Sequence, residues 1–336
     1  MEEETKIMEP VVDFKEVTIR DYHNGDEKKI ACLFNTSDPR HSKSTLYWRW
    51  SNCDSFNADF LSAVAEYKGE VVGHYSLMGI DALTNRDCLR VGFGQQAVVH
   101  RKFRNLKIIF NLTKHIFQKA RQKYKFLYAF PNDSFFPMHT ALLDWKKVDI
   151  FAADVIRIND LELKENNNIS VKQLDRFDEG VKNIVECNDK SCVFFQKDQK
   201  FLNWRFFSHP INYYLVYSAY VRNEIVGYLV LKVYYNNSFS NNNIGHFIDY
   251  EIKDSDIDIF NSLLRKAKEF FLFNDIEEVV FWNRHLRYKD LFTKYISKEK
   301  VGFSTNFAVL CLDTQDCDLP ADINKWSFTM ANSDAF

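Results

Sequence analysis

The chain has 336 residues, enough for two domains of ordinary size. Its 44 Lys and Arg against 46 Asp and Glu leave a formal charge of −2, which argues against a general binder of nucleic acid or anionic membrane. Only 10 glycines disfavour a protein built on glycine-rich phosphate loops, while 46 % apolar residues, among them 31 Phe, supply a large core.

The acidic start, Met1-Glu2-Glu3-Glu4-Thr5-Lys6, has no apolar stretch of a secretory signal. No run approaches the roughly 18 apolar residues of a membrane span. Seven cysteines, none in C-x-x-C spacing, predict reduced thiols, a cytoplasmic location and no zinc site.

Read in chain order, the predicted elements occur twice. A strand over Val17–Tyr22 and a helix over Asp26–Phe34 lead to Leu46-Tyr47-Trp48-Arg49-Trp50. A hairpin follows over Ala65–Leu77, turning at Lys68-Gly69, then a strand over Leu89–Val99. Leu106, Ile109, Phe110, Thr113, Phe117, Ala120 and Tyr124 share one face of a helix. A strand at Phe126–Phe130, Asn132, a helix at Phe135–Leu143 and a strand at Val148–Val155 close the half.

After the polar seam Glu165–Asn168 the order begins again, with a strand over Ser170–Leu174 and a helix over Asp178–Glu186. Leu202-Asn203-Trp204-Arg205-Phe206 answers the first aromatic segment, and the hairpin over Ala219–Leu231 turns at Arg222-Asn223. A strand over His246–Ile252 and a helix over Phe260–Phe271 follow. Next come a strand at Glu278–Trp282 before Asn283, a helix at Leu286–Tyr295 and a closing strand at Phe303–Leu312.

The two copies differ where a helix begins. The first offers Arg101, Lys102, Arg104 and Lys107 around a helix N-terminus, whose free N–H groups and positive dipole end suit a pyrophosphate. The second reads Lys253-Asp254-Ser255-Asp256-Ile257-Asp258, and three aspartates repel the same group. One anion site is expected, in the first copy.

This order, with Ala97-Val98-Val99 running through His100 to Arg104-Asn105-Leu106-Lys107-Ile108-Ile109, resembles the GCN5-related N-acetyltransferase (GNAT) superfamily. Against the family's R/Q-x-x-G-x-G/A signature, Arg104 takes the first position, and Lys107 and Ile109 take the two small ones. The resemblance implies an α/β fold of mixed sheets in two tandem GNAT-like domains. Residues 1–165 would bind acyl-CoA, and residues 166–336, lacking a pyrophosphate loop, would bind the acceptor. Coenzyme A is then the co-substrate, and no metal is implied. Ala97, Val98 and Val99 would pair with the pantetheine arm, with an amide near Val98 polarising the carbonyl. Arg104, Asn105, Leu106, Lys107, Ile108 and Ile109 would hold the pyrophosphate, and Asn132 would lie beside the cofactor.

Three further segments narrow the resemblance: Phe130-Pro131-Asn132, Phe201–Pro210 with Tyr213-Tyr214, and Trp326–Thr329 with Asn332–Phe336. They are similar to stretches of tandem GNAT proteins in surface-polysaccharide gene clusters. The resemblance implies N-acylation of a nucleotide-linked amino sugar, such as a dTDP-3-amino-3,6-dideoxyhexose, with an acetyl or 3-hydroxybutyryl donor, for O-antigen or capsule assembly. The partners would be these small molecules, with no nucleic acid and no membrane insertion. Trp204, Arg205, Tyr213, Tyr214, Trp282, Ser333 and Asp334 are the candidate acceptor ligands. Asn132, His139 and Asp249 are the candidate catalytic groups, since the amides of Gln95 and Gln96 take no proton. Two alternatives stay open: acylation of another small amine, and a scaffold that binds acyl-CoA without turnover.

Overall fold

The structure, a computed structural model, describes residues 14–37, 39, 42–84, 87–184, 192–234, 243–297, 304–312 and 319–335. The first half forms β1 (Thr18–Asp21), α1 (Asp26–Ser37), α2 (Thr45–Ser51), β2 (Phe60–Tyr67), β3 (Glu70–Leu83) and β4 (Cys88–Val99). It continues with α3 (Leu106–Lys123), β5 (Phe126–Ala129), α4 (Phe136–Leu142), β6 (Lys146–Ala152) and β7 (Asp154–Arg157). The second half forms β8 (Ser170–Leu174), β9 (Val193–Phe195), α5 (Gln199–Phe207), β10 (Leu215–Val221), β11 (Glu224–Tyr234) and β12 (Ile244–Ile252). It ends with α6 (Ile257–Phe273), β13 (Glu278–Phe281), α7 (Lys289–Thr293), β14 (Ser304–Cys311) and β15 (Trp326–Ser327).

The repeat in the sequence is a repeat in geometry. Both hairpins turn on two left-handed residues, Lys68 (φ 50°) and Gly69 (φ 84°), then Arg222 (φ 49°) and Asn223 (φ 68°), the turn that matches strand twist. Both slip register at matching points, after Ala65 and after Ala219. The buried stripe of α3 (Ile108, Ile109, Leu112, Thr113, Ile116, Phe117, Ala120) packs on the first sheet, whereas Leu106 and Phe110, expected on that face, are exposed because the stripe is turned towards Ile108, Leu112 and Ile116. The stripe of α6 (Phe260, Leu263, Leu264, Ala267, Phe271) is buried on the second sheet.

The two sheets exchange a strand. The first runs β1-β2-β3-β4-β5-β14-β6, with β9 joined to the end of β3 and β15 to β9, and the second runs β7-β13-β12-β11-β10-β8. The strand expected over Val148–Val155 therefore divides at Ala153. β6 stays in the first sheet, while β7 pairs antiparallel with β13 in the second. The closing strand expected over Phe303–Leu312 is β14, and it lies between β5 and β6 of the first sheet. Local pattern marks such segments as strands but carries no information about which distant edge they meet. Phe303 itself lies outside the described residues.

The helix expected over Asp178–Glu186 is a 3-10 segment, Glu179–Asn183. Val181 and Ile184, three apart, are both buried, the spacing that a three-residue turn puts on one side. Glu186 lies outside the described residues. Cys311 takes part in a disulfide, a correction to the expectation of reduced thiols throughout; Cys32, Cys53 and Cys88 are free. No described helix is long and apolar enough to cross a membrane.

A shared core joins the halves: Met78, Ile80, Phe93 and Tyr128 pack in one cluster with Trp204, Tyr228, Trp282 and Trp326. Trp50 and Trp204 stack face to face at 4.5 Å and 12°. Each indole N–H donates to the other's backbone carbonyl, at 3.2 and 2.9 Å.

Candidate functional site

The site begins where β4 and β5 part. These parallel strands pair only at Gly92–Leu127 and Phe93–Tyr128, so the rest of β4, from Gln95 to Val99, has no strand partner on that side among the described residues. Inside this stretch Gln96 takes a left-handed conformation (φ 57°), and the β3–β4 register slips between His74 and Ser76.

The bulge is held from below. Trp48 Nε1 lies 3.2 Å from His74 Nε2, and an indole only donates, so His74 carries its proton on Nδ1 and donates it to the Gln96 carbonyl at 2.9 Å. Burial lowers the His74 pKa to about 4, keeping the ring neutral. From the end of α2, Ser51 Oγ accepts from Gln96 Nε2 at 2.5 Å, and the Ser51 carbonyl accepts from Gln95 Nε2 at 3.1 Å.

β4 then leads through a 3-10 turn, Arg101–Phe103, to Asn105, the N-cap of α3. The Asn105 side chain accepts from the Lys107 N–H at 2.8 Å and is neutral. Arg101 and Arg104 donate to the Ser37 carbonyl at 3.1 and 3.3 Å, and Arg104, Leu106 and Lys107 are exposed. Ile108 and Ile109 point into the core, so only their backbone faces the turn. At α6 the cap is a carboxylate, Asp256, which accepts from the Asp258 and Ile259 N–H groups at 2.7 and 3.2 Å. That helix start presents negative charge.

The residues present fit coenzyme A. A neutral cap among four cations leaves α3's positive end for phosphates, and the bare edge of β4 offers main-chain groups to an extended arm. Gly94 marks the fork: a Cβ there would stand 2.7 Å from Tyr75 Oη. Asn132 caps the turn into α4, accepting from Ser134 Oγ and the Phe135 N–H at 2.8 and 2.9 Å. The exchanged strand steadies this turn, because Asn306 of β14 donates to the Pro131 carbonyl at 3.0 Å and to Asp133 at 2.9 Å. His139 on α4 is buried between Phe135 and Trp145, and burial lowers its pKa to about 3.

On the opposite face of the sheet a narrow cleft opens between the halves, reaching β4 at Gln95. Tyr47, Trp50, Trp204 and His209 form its aromatic wall, and Ser333 and Asp334 of the C-terminal segment close it. Asp334 is the one carboxylate among the described lining residues. It makes no hydrogen bond or ion pair among them, yet lies close enough to Tyr47 and Tyr128 to add to the upward shift that burial gives both phenols. Burial lowers the pKa of His209 to about 3, and the nearby charges of Arg205, Lys232 and Lys43 act in the same direction. His209 Nδ1 accepts from two backbone N–H groups, Ile211 and Asn212, which leaves the proton on Nε2.

Of the expected acceptor ligands, Trp204, Arg205, Ser333 and Asp334 meet in this cleft. The Arg205 guanidinium, expected to hold a pyrophosphate, instead holds the C-terminal segment, donating to the Ala331 and Ser333 carbonyls at 3.3 Å each and to Tyr214 at 2.6 Å. Tyr213 is exposed, and Trp282 is buried against Phe130 and Phe151. Asp249 lies outside the cleft, fully buried, accepting from Lys197 at 2.5 Å, Thr329 at 2.7 Å and Tyr228 at 3.1 Å. With its oxygens so engaged it serves as a tie between the second sheet and the C-terminal segment.

Sequence reading missed Lys43, His209 and Lys232. The Ser208-His209-Pro210 segment carried a signal for His209; nothing local marks the two lysines. No group of three His, Cys, Asp or Glu side chains able to hold a metal is found among the described residues.

No protein-family model matches the chain, and no curated protein matches it. Solved structures do. A tandem GNAT protein from the clavulanic acid biosynthesis pathway matches with a TM-score of 0.58 at 13 % identity, over 90 % of this chain and 100 % of that one. A GCN5-related N-acetyltransferase from Anabaena variabilis ATCC 29413 matches with a TM-score of 0.63 at 7 % identity, over 88 % and 73 %. Saccharomyces cerevisiae N-myristoyltransferase with bound myristoyl-CoA matches with a TM-score of 0.60 at 9 % identity, over 90 % and 81 %. At these identities the likeness is one of fold: the chain has the mixed α/β architecture of a tandem GNAT protein.

Proposed function

We propose that the chain is an acyl-CoA-dependent N-acyltransferase whose acceptor is the amine of a nucleotide-linked amino sugar, such as a dTDP-3-amino-3,6-dideoxyhexose, in O-antigen or capsule assembly. One observation carries this reading. The bare stretch of β4 leads to a basic helix start at one end, and its Gln95 lines a cleft whose described lining holds one carboxylate, Asp334. Structures of this fold include N-acetyltransferases and a transferase with bound myristoyl-CoA, which supports coenzyme A as the donor's carrier.

The cleft is narrow, so the amine-bearing end of the acceptor enters it. Lys43 and Lys232, close enough to act on His209, give the surroundings the positive charge that a diphosphate needs. An ammonium beside Asp334 is held by the carboxylate and passes it one proton. The amine nitrogen then bonds the thioester carbon while the carbon–sulfur bond breaks. Backbone N–H groups of the β4 bulge, near Val98, receive the charge that builds on the carbonyl oxygen. The nitrogen's second proton goes to the departing sulfur, leaving an amide and a free thiol. On this reading Asp334 takes the proton-accepting role for which Asn132, His139 and Asp249 were the sequence candidates.

Thiol release by the full chain tests this, crossing acetyl-CoA and 3-hydroxybutyryl-CoA with dTDP-3-amino, dTDP-4-amino and UDP-amino sugars and one aminoglycoside. Turnover with one sugar nucleotide supports the proposal, and Asp334→Asn should then lower kcat by about 10²–10⁴ while acyl-CoA binding holds. Turnover with the aminoglycoside alone would move the acceptor to another small amine. Silence across the grid from a protein that binds coenzyme A would favour a non-catalytic acyl-CoA scaffold. Ile109 in place of a small residue and the rings packed over Gly94 speak for that second reading.

A further inference from the structure

Trp145 stands between two spaces. On one side is the fork of β4 and β5, where a Cβ on Gly94 would meet Tyr75 Oη at 2.7 Å and the Trp145 ring at 3.5 Å. On the other, α3, the α4–β6 turn and β14 flank an open groove of ≈ 560 Å³. Phe110, Phe117, Leu142, Leu143 and Leu310 make its apolar wall. Phe117, which lines the groove, lies 6.3 Å from the Trp145 ring, and the chain neighbours Asp144 and Lys146 also line the groove, so the Trp145 and Phe117 rings together form the partition.

Among the described residues no hydrogen bond pins the indole, and Trp145 Nε1, both ring nitrogens of His139 and Tyr75 Oη are buried without a partner there, on side chains 1–3 % exposed. Buried polar atoms left unmet work against the rings staying where they are. The groove beyond has one apolar wall, on which Phe110 and Leu142 are 45 % and 44 % exposed, facing a polar side of Thr113, Lys114, Arg121, Asp144 and Lys146. Lys114, Arg121 and Lys146 outnumber Asp144 on its rim, a field that favours a polyanionic donor.

We infer that this groove is the acyl-chain subsite of the thioester donor and that Trp145 sets the chain length it accepts. The inference rests on the acyl-CoA reading above. With the indole turned away from Gly94, the fork opens into the groove and a chain longer than acetyl passes along it.

Each buried methylene is worth about fourfold in affinity, so even partial burial of an octanoyl chain gives at least about tenfold over acetyl. Calorimetric titration of the full chain with coenzyme A, acetyl-CoA and octanoyl-CoA reads this directly. Trp145→Ala should tighten octanoyl-CoA at least about tenfold while the other two ligands stay within about twofold. Adding Phe110→Glu, at an exposed groove position, should remove the gain. Trp145→Phe should give a smaller gain and serves if the alanine variant does not fold. Equal changes for all three ligands, or a gain that survives Phe110→Glu, would overturn the subsite. If the unaltered chain binds no coenzyme A compound, the acyl-CoA reading falls and this inference with it. Binding of coenzyme A without any chain-length response in the variants removes the inference alone.

Discussion

At His74 a buried imidazole holds the carbonyl of a left-handed Gln96, with its own second nitrogen fixed by Trp48. The arrangement works only with a neutral ring, and His139, walled by Phe135 and Trp145, is neutral for the same reason. Burial puts their pKa values at about 4 and 3 against 6.5 in an exposed histidine. As pH falls below 6.5 the unfolded chain takes up a proton at each while the folded chain does not. Stability is therefore whole above 6.5 and is lost towards pH 4, by up to about 1.4 kcal/mol per pH unit for each histidine. His139→Phe should flatten that slope by one proton's worth in urea titrations at about pH 6 to 4.5; an unchanged slope would mean that His139 is protonated in the folded chain. Asp334 and Asp249 make the complementary point for carboxylates. The same side chain is open to a cleft in one case and enclosed by three donors in the other, and no local sequence feature separates them.

Among elements, α3 and α6 are the informative pair. Their buried stripes repeat, and both were legible because a 3.6-residue period is written into the order of apolar residues. Their first turns differ in the cap: neutral Asn105 among cations, against Asp256, whose carboxylate takes the first free N–H groups. Only the first start is fit for an anion. Arg104→Ala with Lys107→Ala should raise the KM for acyl-CoA about tenfold or more with little change in kcat, since the phosphates are held alike in ground and transition states. Unchanged kinetics would remove the proposed phosphate turn. The strands were legible as strands but not in their pairing. β6 and β7 read as one segment because Ala153 between them is apolar and buried, and nothing in that local pattern marks the change of sheet.

For the molecule as a whole, strand exchange has a thermodynamic consequence. Without β14 one edge of β5 and one of β6 lose their partners, and without β7 so does β13. The Asp249–Lys197–Thr329 tie, buried at all three side chains, adds a second bond between distant parts of the chain. Neither half completes its own sheet, so calorimetry of the full chain should show one unfolding transition. Two separated transitions would show that the halves fold independently despite the exchange. The same exchange couples the halves at the site, since Asn306 on β14 fixes the turn that carries Asn132.

Order, periodicity and turn chemistry are local, and the sequence by itself determined them: the doubled element order, the left-handed hairpin turns, the buried helix stripes and the single basic helix start. Each depends on residues within about a turn or two of one another, where side-chain spacing and backbone preference act directly. Tertiary structure decided which sheet β7 and β14 join, which of several aspartates faces a cleft, and that Lys43 and Lys232 come close enough to act on His209. Those outcomes depend on strands and segments more than a hundred residues apart meeting in one place. Burial and charge there are set by neighbours that no local stretch of sequence contains.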